Sequence, residues 1–389
     1  MAKPPRKPSV STALIHHPYE PPAGFAAPQA GVHKASTVLF ADTAAMRARD
    51  WKHKAGYTYG LHGTPTTFTL EERIATLEGG LQSLLLPSGL AAITLVDMAL
   101  LASGDEVLIP DNAYNPNKEL ARHELARFGV RHRFYDPMDP AALAAAITPA
   151  TRLVWIEPPG SVTMEFPDVP ALVQVARARN VLVALDNTWG AGLAFDPFEL
   201  GADISMQALT KYPSGGGDVL MGAVTTRDEA LHLRLKMTHM RMGWGVGAND
   251  AEAVLRALPS LALRYEAQDR AGRALAAWWA QRPEVSQVLH PALEGSPGHA
   301  HWKRLARAAA GLFSVRFHER YAMAQVDAFV DALGLFGIGY SWAGPMSLAV
   351  PYDLELLRPP AHGALVRFSV GLEAVDDLIA DCEQALAVL

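Results

Sequence analysis

Between Thr64 and Arg227 the chain alternates short apolar runs with longer stretches of helical spacing. In TPTTFTLEERIATLEGG, Leu70, Ile74 and Leu77 share one helical face, Glu71 and Glu72 read as an acidic first turn, and Gly79-Gly80 as the stop. LQSLLL then predicts a strand, PSG a turn, LAAITLVDMALLA an apolar helix and VLIP the next strand. The alternation continues through a helix around 117–128, the segment RHRFYD, a helix over 140–146, the strand LVWIEPP, the helix VPALVQVARARN and the strand VLVALDN. ISMQAL and GAVTTR finish the set. Such alternation predicts an α/β fold with a mainly parallel sheet covered on both faces, whose ligands sit at the carboxyl ends of the strands.

The flanks differ. Residues 1–62 are proline-rich and weakly periodic, but Val38, Leu39, Phe40, Tyr57 and Tyr59 predict an arm that docks on another surface. After Leu258 come Ala- and Arg-rich helical sequence, two strand-like runs (GLFSVRF and HGALVRFSVGL) and a closing helix, DLIADCEQALAVL. The expected division is an arm over 1–62, a larger domain over 63–257 and a smaller α+β domain over 258–389.

Charge narrows the choice of partner. A net charge of −6 with scattered Lys and Arg gives no field to attract nucleic acid or an anionic membrane. No apolar run of about 18 residues predicts a membrane span. The single cysteine, Cys382, excludes an intrachain disulfide and a thiolate zinc cluster. The first residues lack the apolar core of a secretory leader, so the expected location is cytoplasmic. His16-His17 and the pair His299 and His301 lack carboxylate or thiolate company, so no metal site is expected.

Of nine lysines, only Lys211 follows a buried-looking segment (ISMQALT) and opens a glycine run (YPSGGGD). Partial desolvation there lowers an amine's pKa and frees it as a nucleophile. Asp186 ends an apolar strand 25 residues earlier, as a ligand partner or as a solvated loop start. Ser88-Gly89-Leu90 lies where a strand turns into a helix, so the amides of Gly89 and Leu90 can hold an anion, with Ser205 and Thr210 adding hydroxyls. Tyr114, just past VLIPDNAY, reads either as a stacking partner for a flat ring or as a half-buried loop tyrosine.

These residues occur within the strings YGLHGTPT, LEGG, LLPSGLAA, NAYNP, EPPGSVTMEFPDVP, LDNTWGAG, SMQALTKY, YSWAGPMSL and GLEAVDDLIADC. In that order they resemble the Cys/Met-metabolism family of pyridoxal-phosphate (PLP) enzymes, from about Ala35 to the C-terminus, and most closely its cystathionine β-lyase branch. The resemblance implies the aspartate-aminotransferase-like fold with a seven-stranded sheet, PLP as cofactor and an amino-acid thioether as substrate. Lys211 is then the Schiff-base lysine, Asp186 the partner of the pyridine nitrogen and Tyr114 the stacking ring. Gly89, Leu90, Ser205 and Thr210 hold the phosphate. Arg367 clamps the substrate carboxylate, a bidentate task. Ser341 and Trp342 match the pair found in β-lyases. Tyr59 reaches the phosphate of a neighbouring subunit, so the implied catalytic unit is a dimer, usually within a tetramer. The chain departs from the family pattern twice. Leu61 stands where relatives commonly carry an arginine, leaving His62 as the nearby substitute, and PSGGGD follows Lys211 where relatives often carry a histidine.

Overall fold

The computed structural model describes residues 9–17, 23–25, 27–357 and 363–389. Seven strands build the larger sheet: β1 (Gln82–Leu86), β2 (Glu106–Pro110), β3 (Arg131–Tyr135), β4 (Thr151–Ile156), β5 (Leu182–Asp186), β6 (Ile204–Gln207) and β7 (Gly222–Thr226). Their order is β1-β7-β6-β5-β4-β2-β3. β7 alone runs against its neighbours, β1 and β6. Successive side chains on one strand serve opposite cores. Leu153 and Trp155 of β4 join Val107, Ile109 and Met206 on one face, while Val154 and Ile156 join Leu108, Val183 and Leu185 on the other. Burial on both faces is why these strands read as unbroken apolar runs.

The helix Pro65–Glu78 starts with Thr64 and Thr67 capping each other reciprocally, and it stops at Gly79, whose φ is +73°. Its first turn therefore holds no acid, and Glu71 and Glu72 fall one turn further along than expected. The helix expected around 117–128 begins earlier, as Asn115–Leu120, and continues through a π turn, Ala121–Leu125.

The second sheet is wholly antiparallel, in the order β10-β11-β9-β8, from β8 (Val285–Leu289), β9 (Leu312–Phe317), β10 (Leu348–Asp353) and β11 (Ala364–Ser369). Two of these, β9 and β11, are the expected runs; β8 and β10 are additional edge strands. Trp279, Phe313, Phe317, Phe329 and Phe368 fill its core. The helix Leu261–Trp279 belongs to both halves, with Leu261 and Tyr265 in the core of the large sheet and Leu275 and Trp279 in that of the small one.

The arm is partly tied to its own chain. A short helix, Val10–Ile15, buries Leu14. His33 N–H donates to Thr66 Oγ1 at 2.7 Å, and Thr37 bridges Tyr59. Its apolar tip is open all the same, with Leu39 90% exposed. The parts of the arm at 1–8, 18–22 and 26 lie outside the described residues. Among the described residues no helix is long and apolar enough to cross a membrane, and no group of three or more His, Cys, Asp or Glu could hold a metal ion.

Candidate active site

The carboxyl ends of β1, β2, β4, β5 and β6 deliver most of the candidate residues, and the second half adds Ser341, Trp342 and Arg367. Lys211 lies in a series of tight turns after β6, where Lys211 N–H donates to Ala208 O at 3.1 Å and Gly215 N–H to Lys211 O at 2.9 Å. The second half of the molecule holds this loop. Arg264 Nη1 donates to Tyr212 O at 2.8 Å, and Gly311 N–H donates to the Tyr212 hydroxyl at 2.9 Å. Gly215 has φ +63°, and a Cβ there would fall on the Arg264 guanidinium. That guanidinium accounts for a glycine in the run PSGGGD.

The Lys211 amine donates to Ser341 Oγ at 2.5 Å and stands 5.2 Å from the centre of the Trp342 ring. Burial, helped by the nearby Arg367 charge and opposed by Asp186, pulls its pKa down to about 8. The free amine is therefore more accessible near neutral pH than that of an ordinary lysine. Ser341 itself has φ +93°, a left-handed conformation that a serine rarely adopts. Arg367, buried on β11, places Nη2 3.5 Å from Ser341 O and stacks its guanidinium over the Tyr352 ring at 5.5 Å.

Asp186 closes β5, and its Oδ1 accepts Thr188 N–H at 2.9 Å. Beside it, just past β4, Glu157 accepts Tyr114 N–H at 2.8 Å. Enclosure raises both carboxyls. Glu157 is pushed well above the usual range by burial and by its neighbour Asp186, whereas Thr188 and the Lys211 charge oppose the rise at Asp186. Burial thus favours the neutral form of both acids, and the Lys211 charge and Thr188 favour ionisation of Asp186 alone. Tyr114 is 42% exposed.

Ser88 caps the helix Gly89–Leu100 by accepting Ala91 N–H at 3.0 Å. The N–H groups of Gly89 and Leu90, at the first two helical positions, have no intrahelical acceptor and suit an anion. Gly89 is required for closeness, because a Cβ there would lie 2.7 Å from Ala208 Cβ. That contact also corrects one expectation. Met206 approaches the same turn, so strand alternation puts Ser205 on the opposite face, where it donates to Glu78 Oε2. The Thr210 hydroxyl donates to Met221 O at 3.2 Å and accepts Met221 N–H at 3.1 Å.

Tyr59 is 46% exposed on the arm and packs edge-on against His62. Among the described residues no hydrogen bond or ring contact joins it to Lys211 or Asp186. His62 Nδ1 pairs with Thr58 Oγ1 at 2.6 Å, and burial together with the charges of Lys236 and Arg49 lowers its pKa, which disfavours a cationic role in place of the arginine missing at Leu61.

Glu78, Glu157, Thr188 and Arg264 also belong to this neighbourhood and were not among the expected residues. Glu157 could have been found, since it stands at the end of an apolar strand as Asp186 does. Arg264 carried no such signal, because its role depends on a fold contact with a loop 52 positions away.

The profile of the Cys/Met metabolism PLP-dependent enzymes matches residues 11–387, nearly the whole chain. The chain belongs to this family. Within it, a cystathionine beta-lyase from Bordetella avium is 39% identical over 97% of this chain and 97% of that protein. A cystathionine beta-lyase from Salmonella typhimurium is 36% identical over 92% of each. A crystal structure of metB from Corynebacterium glutamicum superposes with a TM-score of 0.90 at 28% identity, covering 98% of both chains.

The cofactor of this family is pyridoxal phosphate, and its substrates are amino acids. The residues present fit that group. The Gly89–Leu90 turn offers unpaired amides without a Cβ in the way, Lys211 offers an amine of lowered pKa, and Asp186 offers a carboxylate at a strand end.

Proposed function

We propose that the protein cleaves L-cystathionine by β-elimination, releasing homocysteine, with pyruvate and ammonia as the other products. The observation that carries this reading is the Lys211 amine held between Ser341 Oγ and the Trp342 ring, beside Arg367. The nature of the relatives supports it as well.

Gly89 and Leu90 N–H groups would hold the cofactor phosphate, Tyr114 its ring face and Asp186 its ring nitrogen. When bound, pyridoxal phosphate supplies an electron sink that stabilises negative charge at the substrate α-carbon. Arg367 takes the substrate carboxylate in a bidentate grip. With the cofactor and substrate bound, Lys211 Nζ would be the base that takes the α-proton. Ser341 Oγ keeps that nitrogen aimed, and Trp342 covers it from solvent. Breaking the Cβ–S bond leaves the sulfur with the electron pair, and Lys211 Nζ, now protonated, is placed to return a proton to it. Water then hydrolyses the three-carbon enamine to pyruvate and ammonia, which balances the reaction. We read Tyr59 as completing the site of a second subunit, which makes a dimer the working unit.

The test is to mix purified protein with L-cystathionine and follow pyruvate and free thiol. Pyruvate with homocysteine supports the proposal. Cysteine with 2-oxobutyrate would overturn it in favour of γ-elimination.

A further inference from the structure

Glu78 is the last residue of its helix, where the helix dipole disfavours an acid, and it is only 1% exposed. Its hydrogen-bond partners are neutral, and all of them donate. Asn187 Nδ2 lies 3.0 and 3.1 Å from the two carboxylate oxygens, Gln207 Nε2 lies 2.5 Å from Oε1, and Ser205 Oγ donates to Oε2. Burial, with Asp196 nearby, pushes the group up to about 7. A ring of donors with no acceptor is nevertheless matched to the ionised form.

The donors are not a random set. Asp186 pairs with Met206 across β5 and β6, and Asn187, Ser205 and Gln207 are three of the four residues that flank this pair. Asn187 N–H also donates to Met206 O at 2.8 Å. One residue further, Thr188 N–H goes to Asp186 Oδ1, and Thr188 Oγ1 accepts Ala208 N–H at 2.9 Å. Ala208 O in turn accepts Lys211 N–H. One carboxylate thus ties the strand end that bears Asp186 to the strand that leads into Lys211. Gly192 packs against this helix end, where a Cβ would stand 2.7 Å from Leu77 Cγ, 2.8 Å from Leu77 O and 3.2 Å from Glu78 Oε1.

We propose that Glu78 is a positioning residue that clamps the ends of β5 and β6, fixing how far apart Asp186 and Lys211 present their groups to the cofactor. This rests on the reading of Asp186 as the partner of the pyridine nitrogen. Glu78→Gln turns one acceptor into an NH2 group, to which the Ser205 hydroxyl can turn to accept while the Asn187 and Gln207 amide N–H groups lose part of their acceptor. The measurements are the dissociation constant on titrating the apoprotein with pyridoxal phosphate, the visible absorption and circular dichroism of the bound cofactor, and Tm. The expected result is affinity weakened about tenfold, the low end of what outer partners of metal ligands contribute, with an altered cofactor band. The double variant Glu78→Gln with Gln207→Glu returns a carboxylate to the cluster and should recover both readouts. A lower Tm with unchanged affinity and band would overturn the proposal. Should Glu78→Gln fail to fold, Ser205→Ala removes one donor and is judged by the same two results. Asp186→Ala separates the two claims. If it leaves affinity and band intact, the reading of Asp186 has failed. If it disturbs them while Glu78→Gln does not, only the clamp has failed.

Discussion

Lys211 and Ser341 stand 130 positions apart in the chain, yet Nζ donates to Oγ at 2.5 Å. The contact joins the loop after the large sheet to a loop of the second half, so the candidate lysine is set by both.

Ser341 accepts from the charged amine and so favours its protonated form. Ser341→Ala should lower the amine's pKa and move the acid limb of kcat against pH to lower pH by about one unit. The pH profile of pyruvate release reads this directly. A limb that stays in place would mean that Ser341 does not govern the amine.

Lys211→Ala should abolish both turnover and the visible band of the bound cofactor. Spectra after incubation with pyridoxal phosphate and gel filtration check the second point without an assay. A variant with normal turnover would end the model.

Arg367→Lys keeps the charge but loses the planar fork. KM should rise by about 10- to 100-fold while kcat changes little, the pattern of lost ground-state binding. A fall in kcat at constant KM would place Arg367 in the chemical step instead.

Asp97 is fully buried, and Trp155 Nε1 donates to it at 2.9 Å; burial pushes its pKa up to about 7. The folded state therefore binds a proton that the unfolded state releases between roughly pH 4 and 7. Its contribution is present below that window and is lost as pH rises through it, by up to about 4 kcal/mol. Asp97→Asn keeps an acceptor for the indole and should flatten the pH dependence of the urea midpoint. Glu78, raised to about 7 for the same reason, leaves part of the slope in place.

The sheet order could not be read from the chain, but its helix–strand alternation could, because burial on both faces leaves continuous apolar runs in each strand. β10 escaped notice because Pro351 sits inside it, which argues against a strand unless that strand lies at an edge, as β10 does. Lys211, Asp186 and the Gly89 turn were legible because each follows an apolar strand. Ser205 was misread because proximity in sequence to Lys211 outweighed the period of two that assigns it to the other face. Glu78 was hidden because a lone acid at a helix end looks like solvated surface until β6 is seen above it.

Gly215 and Arg264 occupy one space, since a side chain at 215 would need the room the guanidinium fills. Changes at these two positions are therefore not independent. Restoring a side chain at 215 alone should cost the loop its anchor, and the same change combined with a smaller residue at 264 should be tolerated better. Anyone redesigning the loop around the candidate lysine must treat these two distant codons as a single choice.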